Sequence, residues 1–294
     1  MTGGMSSAWT IGVIGGSGLY RMDGLQDAEW LPVSSTFGKP SDEILFGRIG
    51  DVNLRFLPRH GRGHRIPPGE IDARANIDAL KRSGCTDILA ISAIGSLREH
   101  LAPGHFVAVD QFIDRTVARP ASFFGNGLAA HVSLADPVCP RLSALAADAV
   151  EAAGGQVARG GTYLAMEGPQ FSTRAESRLY RQWGADVIGM TAMPEARLAR
   201  EAELPYALVG MVTDYDCWRA ENEAVDIGEV VAQMRTNGDL ARRTVACFVA
   251  ALPARREASP IDTALDGALL TAPDARDPDM LIRLEAILAR LSAG

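Results

Sequence analysis

The chain has 294 residues, 47% of them hydrophobic and 22% charged, which is enough apolar material for a large buried core. Its formal net charge of −7 excludes the basic footprint expected of a protein that binds nucleic acid or an anionic membrane. No apolar run approaches the roughly 20 residues needed to span a bilayer, and residues 1–8 lack the features of a signal peptide, so a cytoplasmic location is expected.

Read in chain order, β-rich apolar runs alternate with amphipathic stretches, the pattern of an α/β fold with a parallel or mixed sheet. Strands are predicted at Thr10–Ile14, Val52–Leu57, Asp87–Ser92, His105–Ile113, Thr162–Glu167, Asp186–Met190 and Ala207–Thr213. Helical spacing covers Ala73–Ser83, Pro140–Ala153, Thr173–Trp183, Met193–Ala202 and Ile227–Leu252, the last weakened at Asn237-Gly238. One domain spanning 1–294 is expected, with a flexible N-terminus over residues 1–9. The polar tail after Leu252 ends in a short helix, Asp279–Leu291, and reads as a lid, a partner-facing arm or a loose terminus. Cys85, Cys139, Cys217 and Cys247 stand far apart, which suits small buried hydrophobes rather than a metal site or disulfide framework.

Six segments carry chemistry. The first strand ends in Gly15-Gly16-Ser17-Gly18, where missing side chains let backbone N–H groups converge on an anion beside a hydroxyl. The spacing is not that of a dinucleotide fingerprint, because position 21 is Arg21, so a nucleotide-cofactor oxidoreductase is excluded. In Pro58-Arg59-His60-Gly61-Arg62-Gly63-His64-Arg65, Arg59 offers two parallel donors to a phosphate and His60 a third. Gly61 and Gly63 argue against a helix that would bring His60 and His64 onto one metal. Ser92-Ala93-Ile94-Gly95-Ser96 ends another strand, where open α/β sheets bind ligands. Each of these three is equally consistent with a tight turn or a solvated loop.

Phe171, in the Gly-Pro turn of Met166–Glu176, suits either stacking on a flat base or a place in the core, while Thr173 and Glu176 form a capping box. The strand through Gly189 leads to Met190, facing a ribose, and Thr191, facing phosphate. Glu195, behind Pro194, is accounted for by the helix dipole. Finally, Asp214 and Asp216 stand two apart at the end of an apolar strand. Low dielectric and mutual repulsion would raise the pKa of one of them enough to keep its proton near neutrality. Metal binding or helix capping are alternatives for the pair.

Taken together and in this order, the six segments resemble the methylthioadenosine phosphorylase branch of the trimeric purine nucleoside phosphorylase family, over most of Ile11 to Leu252. The resemblance implies a mixed, partly barrel-like sheet flanked by helices, a homotrimer with active sites near subunit interfaces, inorganic phosphate as co-substrate and no cofactor or metal. It places phosphate on Ser17, Arg59, His60, Ser92, Ala93 and Thr191, and base and ribose on Phe171, Ser172, Met190, Thr213, Asp214 and Asp216. His131 would reach a neighbouring subunit's site near the 5′ group, where Ile227 and Val230 make an apolar pocket and Leu269 or Leu270 covers it. Asp214 would be the general acid toward N7 of the base, with Asp216 holding it or receiving a 6-amino group. Two carboxylates favour adenine. The alternatives are a 6-oxopurine (methylthioinosine or inosine) phosphorylase and, in another class, a nucleoside-binding protein without turnover.

Overall fold

The computed structural model describes residues 8–16, 19, 22, 24–219 and 227–292. Among them, eleven strands form one mixed sheet: β1 (Thr10–Gly15), β2 (Gln26–Leu31), β3 (Ile44–Ile49), β4 (Val52–Pro58), β5 (Asp87–Ser96), β6 (Phe106–Val109), β7 (Gln111–Asp114), β8 (Val157–Arg159), β9 (Thr162–Ala165), β10 (Val187–Gly189) and β11 (Tyr206–Asp214). The helices are α1 (Ala73–Arg82), α2 (Pro140–Ala152), α3 (Arg174–Gln182), α4 (Ala192–Glu201), α5 (Ile227–Ala251), α6 (Pro278–Arg283) and α7 (Ala289–Ser292).

β5 is the trunk of the sheet. Side chains alternate between faces of a strand, and Ile88, Ala90 and Ile94 enter one apolar cluster while Leu89 and Ile91 enter another. α1 and α4 cover the first cluster, with Ile77, Leu80, Ala196 and Leu198. α2 and α5 cover the second, with Leu142, Val150, Val245 and Phe248.

The sheet forks along β5. On one side β1 runs parallel to it from Asp87 to Ala90, and β10 joins antiparallel only at Gly95 and Ser96. On the other side β11 follows it from Ile88 to Gly95. The stretch from Ile91 to Ile94 therefore has one edge without a strand, and a cavity opens there. Ser92 does not end a strand as expected: the apolar run continues through buried Ile94 and Ser96, so Ser92 sits mid-strand at the fork. The expected strand His105–Ile113 is broken at Asp110, because β6 pairs with β11 and β8 while β7 pairs with β9 on the other arm.

Two further expectations change. α5 runs unbroken through Asn237-Gly238. Asn237 is buried and donates to the Val212 carbonyl at 3.0 Å, so the helix is anchored where its propensity is poorest. The single helix Asp279–Leu291 is instead two short ones, α6 and α7.

The tail is part of the core rather than a free arm. Leu265, Met280, Leu284, Ile287 and Leu288 are buried in the first cluster, and Arg256 is ion-paired with buried Asp87 and with Asp262. Residues 1–7 of the expected flexible terminus lie outside the described residues. Trp9 is buried and its indole N–H donates to the Pro253 carbonyl at 2.7 Å.

Candidate active site

The fork opens into a cavity of about 560 Å³, a size suited to a small ligand. Of the expected residues, Arg59, His60, Ser92, Ala93, Met190, Thr191, Phe171, Thr213, Asp214, Asp216 and Val230 line it. Ser17 lies outside the described residues. Ser172 is set back from the lining: its hydroxyl reaches the Met166 sulfur and its carbonyl accepts from Cys217. Ile227 and His131 do not line this chain's cavity, and neither does Leu269 or Leu270.

One end of the cavity is a set of donors. The Ser92 and Thr191 hydroxyls, delivered by β5 and by the entry to α4, stand 3.4 Å apart. Beside them Arg59 is almost wholly buried, its backbone N–H tied to Gly15 so that β4 and β1 end together. The side chain is not the free fork that was expected. Its Nε and Nη2 donate to the two oxygens of Glu195 at 2.8 and 3.0 Å, and its Nη1 donates to the Ile91 carbonyl at 2.9 Å on the open edge of β5. A guanidinium has five donors, so one on each Nη remains for an anion. Burial opposes the charge, and Glu195 outweighs it, raising the guanidinium's hold on its proton.

Glu195 was assigned above to the helix dipole, and the structure corrects this. It is buried, accepts from Tyr206 at 2.8 Å as well as from Arg59, and fixes Arg59 in place. The helical geometry of α4 is interrupted at Met193, before Pro194, as expected for a residue that precedes proline. Arg119, also missed, donates to the carbonyls of Glu167, Met190 and Met193 and so clamps together the two loops that carry Phe171 and Met190.

His60 departs from expectation too. Its Nδ1 lies 2.9 Å from the Ile66 carbonyl, and its ring stacks on His64 with centroids 4.1 Å apart. Burial lowers its pKa to about 4 against the pull of that carbonyl, with Arg59 and His64 adding to the lowering. The ring is neutral at physiological pH.

The other end of the cavity is acidic. The strand-end register slips between Val212 and Asp214, with Ile94 and Gly95 opposite them on β5. This bulge brings both Thr213 and Asp214 to the cavity. Asp214 accepts from the Thr213 hydroxyl and from the Asp216 backbone N–H, each at 2.7 Å. The second bond turns the chain back, and Asp216 takes a left-handed conformation (φ 51°) that its short polar side chain tolerates. Asp216 is 4% exposed and its Oδ2 is buried without a partner among the described residues. Burial raises both carboxyls, and Asp216, also facing Asp214, rises to about 6. Asp216 thus joins Asp214 as a carboxyl that burial holds above its ordinary range.

A cluster of donors, the Phe171 ring and a buried acid pair thus converge in one cavity, and comparison with known proteins places this arrangement. A model of the phosphorylase superfamily matches residues 10–250. The chain belongs to that superfamily. Among its relatives, S-methyl-5′-thioadenosine phosphorylase of Cereibacter sphaeroides is 59% identical over 97% of this chain and 99% of its own length. The protein of the same name from Rhodospirillum rubrum is 53% identical over 98% and 99%. The phosphorylase fold is shared in detail with a methylthioadenosine phosphorylase crystal structure from an antarctic soil metagenomic library: TM-score 0.91, 44% identity, 96% of this chain and 100% of that one. The Schistosoma mansoni methylthioadenosine phosphorylase in complex with adenine matches with TM-score 0.80 and 36% identity over 92% and 99%. The superfamily match stops at residue 250, short of the tail that packs on the phosphorylase core.

α5 supplies lining that sequence reasoning missed. Val231 and Met234 join Val230 at the cavity in place of Ile227, which is 67% exposed. Three-to-four residue spacing along an amphipathic helix is the signal that could have found Met234.

Proposed function

We propose that this protein cleaves 5′-methylthioadenosine with inorganic phosphate, giving adenine and 5-methylthioribose 1-phosphate, a step of purine and methionine salvage. The observation that carries the reading is the pairing of a donor cradle at Arg59, Ser92 and Thr191 with a buried acid pair at Asp214 and Asp216 in one cavity. Phosphate sits on the cradle, with Ala93 beside it, and one of its oxygens bonds to C1′ as the bond to N9 breaks. Positive charge developing on the sugar faces the anion, and a preorganised anion site lowers the barrier. Phe171 stacks on the base, and Met190 lies along the ribose. Over the whole reaction the departing base gains one proton and hydrogen phosphate loses one.

The acid pair reads the base. Along that edge adenine offers an acceptor, N7, and a donor, the 6-amino group, whereas a 6-oxopurine offers two acceptors. Two carboxyls sharing one proton present one donor and one acceptor, complementary to adenine. A 6-oxopurine would require both to be protonated, which disfavours the inosine-type alternative. Val230, Val231 and Met234 give an apolar wall that suits a methylthio group, with Ser172 behind the base side.

We further assign a homotrimer. His131 and the tail are joined by backbone bonds, His131 to Ala268 and Leu270 to Ala129, and Leu270 is 61% exposed. This hairpin-like pair, remote from its own cavity, suits delivery of His131 and Leu270 together to the 5′ side of a neighbour's site. No cofactor is required, and the cytoplasm is the assigned location. Among the described residues, no helix is long and apolar enough to cross a membrane.

Release of free base from methylthioadenosine, adenosine, methylthioinosine and inosine, with and without phosphate, tests the reading. Release of adenine without phosphate would make the protein a hydrolase, and preference for inosine would reverse the base assignment.

A further inference from the structure

We infer that His60 makes the site selective for an oxyanion that carries a hydrogen, because the nitrogen it offers to the co-substrate is a hydrogen-bond acceptor. A carbonyl oxygen can only accept, so the 2.9 Å contact to Ile66 places a hydrogen on Nδ1 of His60. A neutral imidazole has one N–H, which leaves Nε2 bare. The charged and titratable groups around the ring, Arg59 next to it and His64 stacked upon it, both disfavour a second proton, as does burial. Glu195 is already engaged with two donors of Arg59 and one of Tyr206, and its influence reaches the ring through Arg59. His60 lines the cavity and its Nδ1 is turned to Ile66, so Nε2 is the ring nitrogen left for a ligand.

The rest of the cradle offers donors: two unused hydrogens on Arg59, the hydroxyl of Thr191, and that of Ser92 once it turns from the Ala93 carbonyl, to which it donates at 3.2 Å. An anion without a hydrogen, such as sulfate, would set an oxygen lone pair against the lone pair of Nε2. Hydrogen phosphate and hydrogen arsenate place an O–H there instead. The inference gives His60 the opposite role to the third donor expected from sequence. The inference rests on the proposed phosphorolysis for the identity of the anion, though not for the direction of the hydrogen bond.

The test is calorimetric titration of the full chain at pH 7.5 with phosphate, arsenate and sulfate. Phosphate and arsenate are expected to bind alike. Sulfate, of equal charge and similar size, is expected to bind about 30-fold more weakly, the cost of one buried unpaired acceptor. In His60→Gln, whose amide can turn to donate, the sulfate penalty is expected to shrink to about threefold. Sulfate binding within about threefold of phosphate in the wild type would overturn the inference. So would a His60→Gln variant that weakens both anions equally, the outcome of a merely structural role. Should that variant fail to fold, nitrogen NMR of histidine-labelled wild type with phosphate bound decides the matter. A neutral Nδ1–H ring at the site is expected, and an imidazolium or an Nε2–H ring overturns it. Phosphate-dependent adenine release is measured alongside: its absence removes the proposed reaction, whereas turnover with equal sulfate binding removes only the role of His60.

Discussion

Arg59 and Glu195, 136 residues apart in the chain, meet side by side through two hydrogen bonds in a site almost closed to water. Removing one partner of a buried ion pair leaves an uncompensated charge, at a cost of about 3–5 kcal/mol. Glu195→Gln keeps the shape and loses the charge. It is expected to lower the unfolding free energy in denaturant by about that amount and kcat/KM for phosphate by at least about tenfold. Wild-type values in both measurements would show that Glu195 does not hold Arg59.

Asp216 carries a cost that stability should report. Its carboxyl titrates near 6 in the fold against 3.8 in the open chain, chiefly through burial. Between those values the folded protein binds the extra proton, so stability is highest below about 4 and is lost as pH rises through 6. At 1.36 kcal/mol per unit the penalty at neutral pH is roughly 3 kcal/mol. Asp216→Asn, which tolerates the same left-handed backbone, is expected to melt higher than wild type at pH 7.5, to match it near pH 4, and to turn over poorly. Equal melting at pH 7.5 would mean that Asp216 is not held above its normal range.

Space beside the acid pair is reserved by a glycine. A Cβ on Gly95 would stand 3.0 Å from Oδ1 of Asp214 and 3.1 Å from a methyl of Ile188. Gly95→Ala should therefore shift Asp214 and reduce kcat more than KM for the nucleoside, with the fold retained by circular dichroism. Unchanged kcat would contradict the placement of Asp214 at the reacting base.

The tail offers a stability test remote from the cavity. Leu284 is fully buried on α6's C-terminal side within the same cluster as β5. Leu284→Ala is expected to cost about 2–4 kcal/mol in chemical denaturation. A cost below about 0.5 kcal/mol, typical of surface positions, would mean that the tail does not belong to the core.

Elements with strong periodicity were legible in the sequence to within a residue or so: β1, β4, α1, α2 and α3 fall where spacing puts them. Gln26–Leu31 was missed because four of its six residues are exposed and it offers no buried face to read. Val157–Arg159 is too short to show a period. At the site, residue types marked the cradle and the acid pair, yet the hydrogen-bond roles were hidden. That Arg59 is engaged by Glu195, and that the Ile66 carbonyl fixes the His60 tautomer, are facts of long-range or loop geometry. No local pattern encodes them. The split of the proton between Asp214 and Asp216 likewise depends on which oxygens find donors once the chain has turned.

The register slip near the end of β11 makes the chemistry depend on counting. Upstream of it, β11 and β5 keep step residue for residue; past it, Asp214 is opposite Gly95 only because one extra residue has been let in. Losing Thr213 would remove the bulge and with it the hydroxyl that donates to Asp214, and the carboxylate would leave the position that the bulge gives it. A change of length at this point is therefore expected to disturb the acid pair, whereas upstream the strand keeps regular step with β5.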